Sequence, residues 1–191
     1  MWFDIFIQAI GFIALAVNII AVQFNKYRTI ILLKTVGSLL FVVQYIFLHA
    51  YTGMIMDIIG SIRNVIFSLN VKNNRSNKIP VIIFSLLTAV LGTTTIILTW
   101  DVSKIVWTDD IKMATIVMVL ISILSIVAKL ISTISYSLKD PHKMRMLNLP
   151  SASCWLVYNF ITFSIAGFIS EIMTMGSIII AELRFKQSKN H

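Results

Sequence analysis

The chain has 191 residues, of which 58% are hydrophobic and 13% are charged, and its formal net charge is +8. A soluble domain carries about 25% charged residues, so this composition excludes an ordinary soluble protein and indicates that lipid is the solvent. The one cysteine, Cys154, excludes an intrachain disulfide and a cysteine metal centre, and the three histidines are too scattered to ligate a metal. We therefore expect neither a metal site nor a cofactor.

Seven apolar stretches have roughly the length of a membrane-spanning helix, which takes about 20 residues. In chain order they cover residues 3–24, 29–50, 53–70, 79–100, 112–136, 147–164 and 167–185. Polar stretches or short turns separate them, and the first stretch lacks the basic segment and the cleavage site of a signal peptide. The sequence therefore predicts an all-α polytopic membrane protein with seven transmembrane helices.

Basic residues are distributed unequally between the two membrane faces that seven crossings define. The face of the N-terminus holds Lys104 and Lys112. The opposite face holds twelve basic residues, namely Lys26, Arg28, Lys34, Lys72, Arg75, Lys78, Lys139, Lys143, Arg145, Arg184, Lys186 and Lys189. Because positive charge accumulates in cytoplasmic loops, the pattern predicts an outer N-terminus and a cytoplasmic C-terminus. Topology and anionic lipid headgroups then explain the net charge, and we expect no nucleic-acid partner.

The two halves of the chain align without gaps at a shift of 114 residues. The shift pairs Phe41 with Trp155, Gly53 with Gly167, and Asp57 with Glu171. Helices one to three then match helices five to seven, which predicts a 3+1+3 parallel repeat about an axis along the membrane normal, the SWEET-type arrangement. The units are residues 1–71, a linker with the fourth helix at 72–111, and residues 112–191 with a basic tail. The alternative is an irregular bundle with chance similarity.

Arg63 lies in the middle of the third apolar stretch, where insertion of an arginine costs about 2.5 to 3.5 kcal/mol. Two interpretations stay open for it. It is either a structural arginine, satisfied by Asp57, by backbone carbonyls or by snorkelling, or a member of a polar cavity that handles a solute. Lys129 belongs to a polar stripe with helical spacing in the fifth predicted helix, and Asn64 and Asn159 belong to similar stripes. Small and hydroxyl residues in such stripes also pack helices together.

The stripes indicate a set of candidate solute-binding residues. Arg63 and Lys129 would supply positive charge, Gln44, Asn64 and Asn159 hydrogen bonds, and Trp155 and Tyr158 an aromatic wall. Asp57 and Glu171 are expected near the outer ends of their helices, as an outer gate or as counter-ions to the two cations. Two cations favour an anionic or zwitterionic solute, but the two carboxylates would neutralise both.

Two long segments carry a family resemblance. Residues 8–67, with the Ile62–Arg63 pair, and residues 154–171, which read CWLVYNFITFSIAGFISE, resemble the YgjV-type bacterial inner membrane proteins. The resemblance spans both ends of the chain and leaves out the middle. It implies a multi-spanning protein of the bacterial inner membrane and brings no established activity.

A wider resemblance extends to SWEET, PQ-loop and nicotinamide riboside transporters. Val22–Gln23 followed by residues 26–28 is similar to their PQ motif with its basic tail, although Val22 replaces the proline that helps the first helix bend. Residues 155–159 are similar to the aromatic and polar residues that line their solute sites. The resemblance implies transport by a rocking movement of two three-helix units, or triplets. Because the proline helps the first helix bend, its absence argues against the same transport cycle in this chain.

The sequence thus favours a membrane protein that transports or binds a small polar solute at a cavity between two triplets. The alternative is a non-transporting accessory or sensor protein. The sequence has no HExxH, no GxSxG and no paired-carboxylate motif, so we expect no enzymatic activity and no catalytic residues. The expected partners are the lipid bilayer and an unknown small polar solute, and a homo-oligomer stays open.

Overall fold

The computed structural model describes residues 2–24, 26–98 and 111–188, with side chains for residues 5–21, 24, 26–97 and 116–180. Within this part the chain forms seven α-helices and no strand. They are α1 (Trp2–Gln23), α2 (Tyr27–Phe47), α3 (Tyr51–Lys72), α4 (Lys78–Leu98), α5 (Ile111–Ser137), α6 (Pro141–Ile161) and α7 (Ile165–Ser188). The predicted all-α fold with seven helices is confirmed.

Some predictions concern residues beyond this part of the chain. The basic side chains of Lys104, Lys112, Arg184, Lys186 and Lys189 lie outside the described side chains. The same holds for the side chains of Val22 and Gln23, which carry the PQ-like motif.

Four helices of the described chain are long and apolar enough to cross a membrane. They cover Tyr27–Phe47, Tyr51–Lys72, Lys78–Ile97 and Ile116–Ser137, and shorter apolar helices cover Ile5–Ala21 and Ile165–Ile180. The outer surface of α4 illustrates the environment, because Ile79, Ile82, Leu86 and Val90 are all more than half exposed on one helical face. A water-soluble protein rarely exposes an apolar patch of this kind. The architecture is that of a polytopic membrane protein.

The predicted boundaries of the sixth helix were wrong by several residues. The prediction placed residues 147–164 in the helix, whereas α6 begins at Pro141 and ends at Ile161. The start lies earlier because the carboxylate of Asp140 accepts a hydrogen bond from the backbone N–H of His142 at 2.9 Å, and proline fits the first helical turn. The low hydropathy of residues 141–146 had predicted a loop instead.

Six helices form a closed ring in the order α1, α2, α3, α5, α6 and α7, and α7 packs against α1. Helix α4 lies outside the ring against α3 and α5. Contacts between Thr52 and Ser122 and between Arg63 and Thr133 ascend along both helices, so α5 runs in the same direction as α3. The triplets α1–α3 and α5–α7 are therefore parallel to each other.

The turns that join α2 to α3 and α6 to α7 repeat each other at the predicted shift of 114 residues. His49 and Phe163 occupy matching positions and have φ angles of 55° and 57°. Matching backbone hydrogen bonds join Ala50 N to Tyr45 O at 2.9 Å and Ser164 N to Asn159 O at 3.0 Å. Both turns also end in matching bonds from Met54 to Ala50 and from Phe168 to Ser164. The ring thus has an approximate two-fold axis that exchanges the triplets.

Candidate functional site

A cavity of about 60 Å³ lies at the centre of the ring and is large enough to hold water. All six ring helices contribute to its lining, and α4 does not. Most lining residues form pairs related by the shift of 114: Asn18 and Ser132, Lys34 and Asn148, Ser38 and Ala152, Phe41 and Trp155, Tyr45 and Asn159, and Asp57 and Glu171. The cavity therefore lies on the approximate two-fold axis.

A buried ion pair joins α3 to α5 at the cavity wall. The Lys129 Nζ atom lies 2.6 Å from the Asp57 Oδ1 atom, and the side chains are 6% and 10% exposed. The ammonium also lies 5.2 Å from the ring centroid of Trp155. Gly60 provides the space for it, because a Cβ atom there would lie 2.7 Å from Nζ. Asp57 and Lys129 thus neutralise each other within the low-dielectric interior.

Arg63 is 1% exposed and makes its hydrogen bonds with neutral acceptors. Its Nη1 donates to Thr133 Oγ1 at 2.6 Å, and its Nε and Nη2 donate to Asn64 Oδ1 at 3.2 and 2.8 Å. The guanidinium carbon also lies 5.0 Å from the ring centroid of Tyr136 and 6.0 Å from that of Phe67. Among the described side chains no carboxylate lies within ion-pair distance of Arg63, so Asp57 is not its partner.

Lys34 is a cavity residue that the sequence interpretation missed. It was counted with the basic residues of the cytoplasmic face, but it lies inside α2, seven residues after Tyr27, and it lines the cavity. Glu171 lines the same cavity and has the opposite charge. Both are half-buried, and among the described residues neither forms a direct hydrogen bond or ion pair. An isolated lysine within an apolar helix was the signal that could have identified the site.

Aromatic and amide side chains from α2 and α6 close the cavity on one side. The rings of Tyr45 and Trp155 stack at 6.4 Å, and Tyr158 meets Trp155 edge-on at 5.2 Å. The Tyr45 hydroxyl donates a hydrogen bond of 2.6 Å to Asn159 Oδ1. We call Gln44, Tyr45, Tyr158 and Asn159, with the adjoining turns, the closing layer.

The closing layer joins the triplets through two matched contacts. Gln44 and Tyr158 are related by the shift of 114 residues. The backbone N–H of Gly53 donates to the Tyr158 hydroxyl at 2.8 Å, and the Ser164 hydroxyl donates to Gln44 Oε1 at 3.1 Å. Helix α6 therefore contacts the start of α3, and helix α2 contacts the turn between α6 and α7. The layer lies at the end of the bundle that holds the two tight turns, which we call the turn end.

The opposite end, which we call the loop end, holds the α1–α2, α3–α4 and α5–α6 connections. There the Tyr27 hydroxyl donates to Tyr136 O at 2.6 Å, and Arg145 donates to Phe24 O at 2.8 Å. A second cavity of about 20 Å³ lies beside these contacts and shares Lys34, Tyr136 and Asn148 with the central cavity. The two cavities therefore adjoin each other on the side of the loop end.

The predicted site residues fall into two groups in the structure. Arg63, Asn64, Lys129, Trp155, Asn159, Asp57 and Glu171 line the central cavity. Gln44 and Tyr158 lie instead in the closing layer, where each bonds to the opposite triplet. Within the described residues no group of three or more histidine, cysteine or carboxylate side chains is arranged to hold a metal ion. The site is thus a charged, hydrogen-bonding cavity between two helix triplets.

Comparison with known proteins supports the membrane assignment. No curated protein and no solved structure matches the chain. Residues 5–189 match the Imp-YgjV family model, which is described as a bacterial inner membrane protein. The match covers nearly all of the 191 residues and confirms the resemblance in both triplets. The chain therefore belongs to the Imp-YgjV family of bacterial inner membrane proteins.

Proposed function

We propose that this protein transports a small polar solute, which it binds in the central cavity between the two triplets. The observation that carries the proposal is the position of the cavity on the approximate two-fold axis, with polar side chains from all six ring helices. Solute sites in repeat-built transporters lie at the interface of the repeats near the membrane midplane. Helix α4 packs mainly against α3 and α5 and serves as the linker between the two triplets.

The proposed movement is a rocking of α1–α3 against α5–α7. Contacts between the triplets occur at both ends of the cavity, and they are of different strength. At the turn end the bonds from Gly53 to Tyr158 and from Tyr45 to Asn159 are fully buried, whereas the bonds of Tyr27 and Arg145 at the loop end are partly buried. Rocking that breaks the loop-end contacts would open the cavity while the closing layer stays shut.

The loop end is proposed to face the cytoplasm. Described basic residues gather there, namely Lys26, Arg28, Lys72, Arg75, Lys78, Lys139, Lys143 and Arg145. By the positive-inside rule, this distribution supports an outer N-terminus and a cytoplasmic C-terminus.

Thiol labelling tests the orientation. In a Cys154→Ser background, His49→Cys and Ser76→Cys each introduce one exposed thiol, at the turn end and the loop end respectively. In intact spheroplasts a membrane-impermeant maleimide should label Cys at 49 and should label Cys at 76 only after permeabilisation. The reverse pattern would overturn the orientation.

Binding and flux together test the proposed transport. The purified protein in detergent is screened for thermal stabilisation by sugars, nucleosides, amino acids and carboxylates, and any stabilising solute is then followed into proteoliposomes. Transport predicts saturable uptake with the protein as the sole component. Stabilisation without uptake would favour a sensor or accessory protein, and the absence of any stabilising solute would count against a solute site.

A further inference from the structure

The charges around the central cavity do not balance. Three cations, Lys34, Arg63 and Lys129, and two anions, Asp57 and Glu171, line it. Lys129 and Asp57 form a direct ion pair at 2.6 Å and cancel. Lys34 and Glu171 face the same space with opposite charge. Arg63 is left with no described carboxylate partner, so the lining carries a net charge of +1.

Hydrogen bonding at Arg63 is also incomplete. A guanidinium has five N–H groups, and three of them donate to Asn64 and Thr133. One N–H group on each terminal nitrogen is left over, and Arg63 lines the cavity. A buried cation at membrane depth is costly unless it is paired, and a carboxylate accepts from two guanidinium N–H groups at once.

We infer that the central cavity binds a small monovalent anion, with Arg63 as the anchor and Lys34 as the second cation. The inference rests on the proposed function and names the class of its solute. The cavity volume of about 60 Å³ suits an anion of a few non-hydrogen atoms, such as a short carboxylate or a halide. A monovalent anion cancels the net charge of +1, whereas a dianion leaves an uncompensated negative charge beside Glu171.

The experiment measures the thermal midpoint of the full-length protein in detergent and low-salt buffer. The probes are sodium acetate, sodium chloride, disodium succinate and acetamide, the neutral isostere of acetate. We expect a saturable rise with acetate, a weaker response to succinate and none with acetamide. If acetate raises the thermal midpoint and chloride does not, the guanidinium recognises a carboxylate. If both raise it equally, the cavity recognises any small monovalent anion.

Variants test the roles of the two cations. Arg63→Gln should raise the half-maximal acetate concentration by about tenfold or more, because a charge-assisted bond is lost. Lys34→Gln should raise it by a smaller factor. Arg75→Gln removes the same charge at an exposed position of the α3–α4 connection and should leave the response unchanged. If Arg63→Gln does not fold, Arg63→Lys keeps the charge without the planar fork, and Lys34→Gln keeps the test of the anion site.

Two results would overturn the inference. The first is equal stabilisation by acetamide and acetate. The second is an unchanged acetate response in both Arg63→Gln and Lys34→Gln. If neutral solutes of the wider screen bind and anions do not, the anion assignment fails while the proposed transport stands. If no solute of any class binds, both fail.

Discussion

Asp57→Asn should strongly destabilise the protein, because it leaves Lys129 charged and buried without its counter-charge. The pair joins α3 to α5, the contact at which the two triplets meet on one side of the ring. Removing one partner of a buried ion pair costs about 3 to 5 kcal/mol. For a chain of this length that corresponds to a fall in the thermal midpoint on the order of 10 °C.

Thermal unfolding in detergent, followed by tryptophan fluorescence, measures the loss. Asp140→Asn is the matched control, since it makes the same change at the N-cap of α6, where aspartate and asparagine cap equally well. The double variant Asp57→Asn with Lys129→Met removes both charges and should recover most of the stability, as expected for coupled residues. Equal midpoints for Asp57→Asn and Asp140→Asn, or a double variant as unstable as the sum of the single ones, would refute the assignment of a buried ion pair.

Two further variants test the closing layer. In thermal unfolding, Gly53→Ala should destabilise the protein and loosen the turn end, because a Cβ atom there would lie 2.6 Å from the Tyr158 hydroxyl. Gly176→Ala is its control and should be neutral or stabilising, because the space around Gly176 is open. Tyr45→Phe should cost about 1 to 3 kcal/mol, because it leaves the buried Asn159 Oδ1 unsatisfied, whereas Tyr51→Phe, which loses an exposed bond to His49, should cost much less. Similar midpoints within either pair would contradict the geometry of the closing layer.

Helical periodicity and hydropathy predicted the number of helices, and seven of the nine candidate site residues line the cavity. Polar residues spaced by three and four on α3 and α5 had to face protein, because lipid cannot satisfy them. That rule brought Asn64 and Lys129 to the cavity. It missed Lys34, because this lysine was counted with the basic residues of the cytoplasmic face, although it lies inside both the predicted stretch 29–50 and α2.

Partner choice depends on packing between helices, which the sequence pattern does not specify. The suggested pairing of Asp57 with Arg63 is disfavoured by helix geometry alone, since six residues turn the helix by about 600°, which leaves the two side chains about 120° apart. Lys129 could be chosen as the partner of Asp57 only once the register of α5 against α3 was known. The register follows from buried contacts such as Thr52 with Ser122 and Arg63 with Thr133.

The backbone of the two triplets is nearly symmetric, and their charges are not. The carboxylates Asp57 and Glu171 occupy matching positions, but the position that matches Lys129 holds Leu15. The position that matches Gly60, which leaves space for the Lys129 ammonium, holds Thr174. The other half therefore has no lysine at the position that matches Lys129, and among the described residues Glu171 lines the cavity without a direct ion pair. The charged residues around the cavity are therefore arranged asymmetrically, with a direct ion pair between Asp57 and Lys129 and no direct ion pair at Glu171 among the described residues.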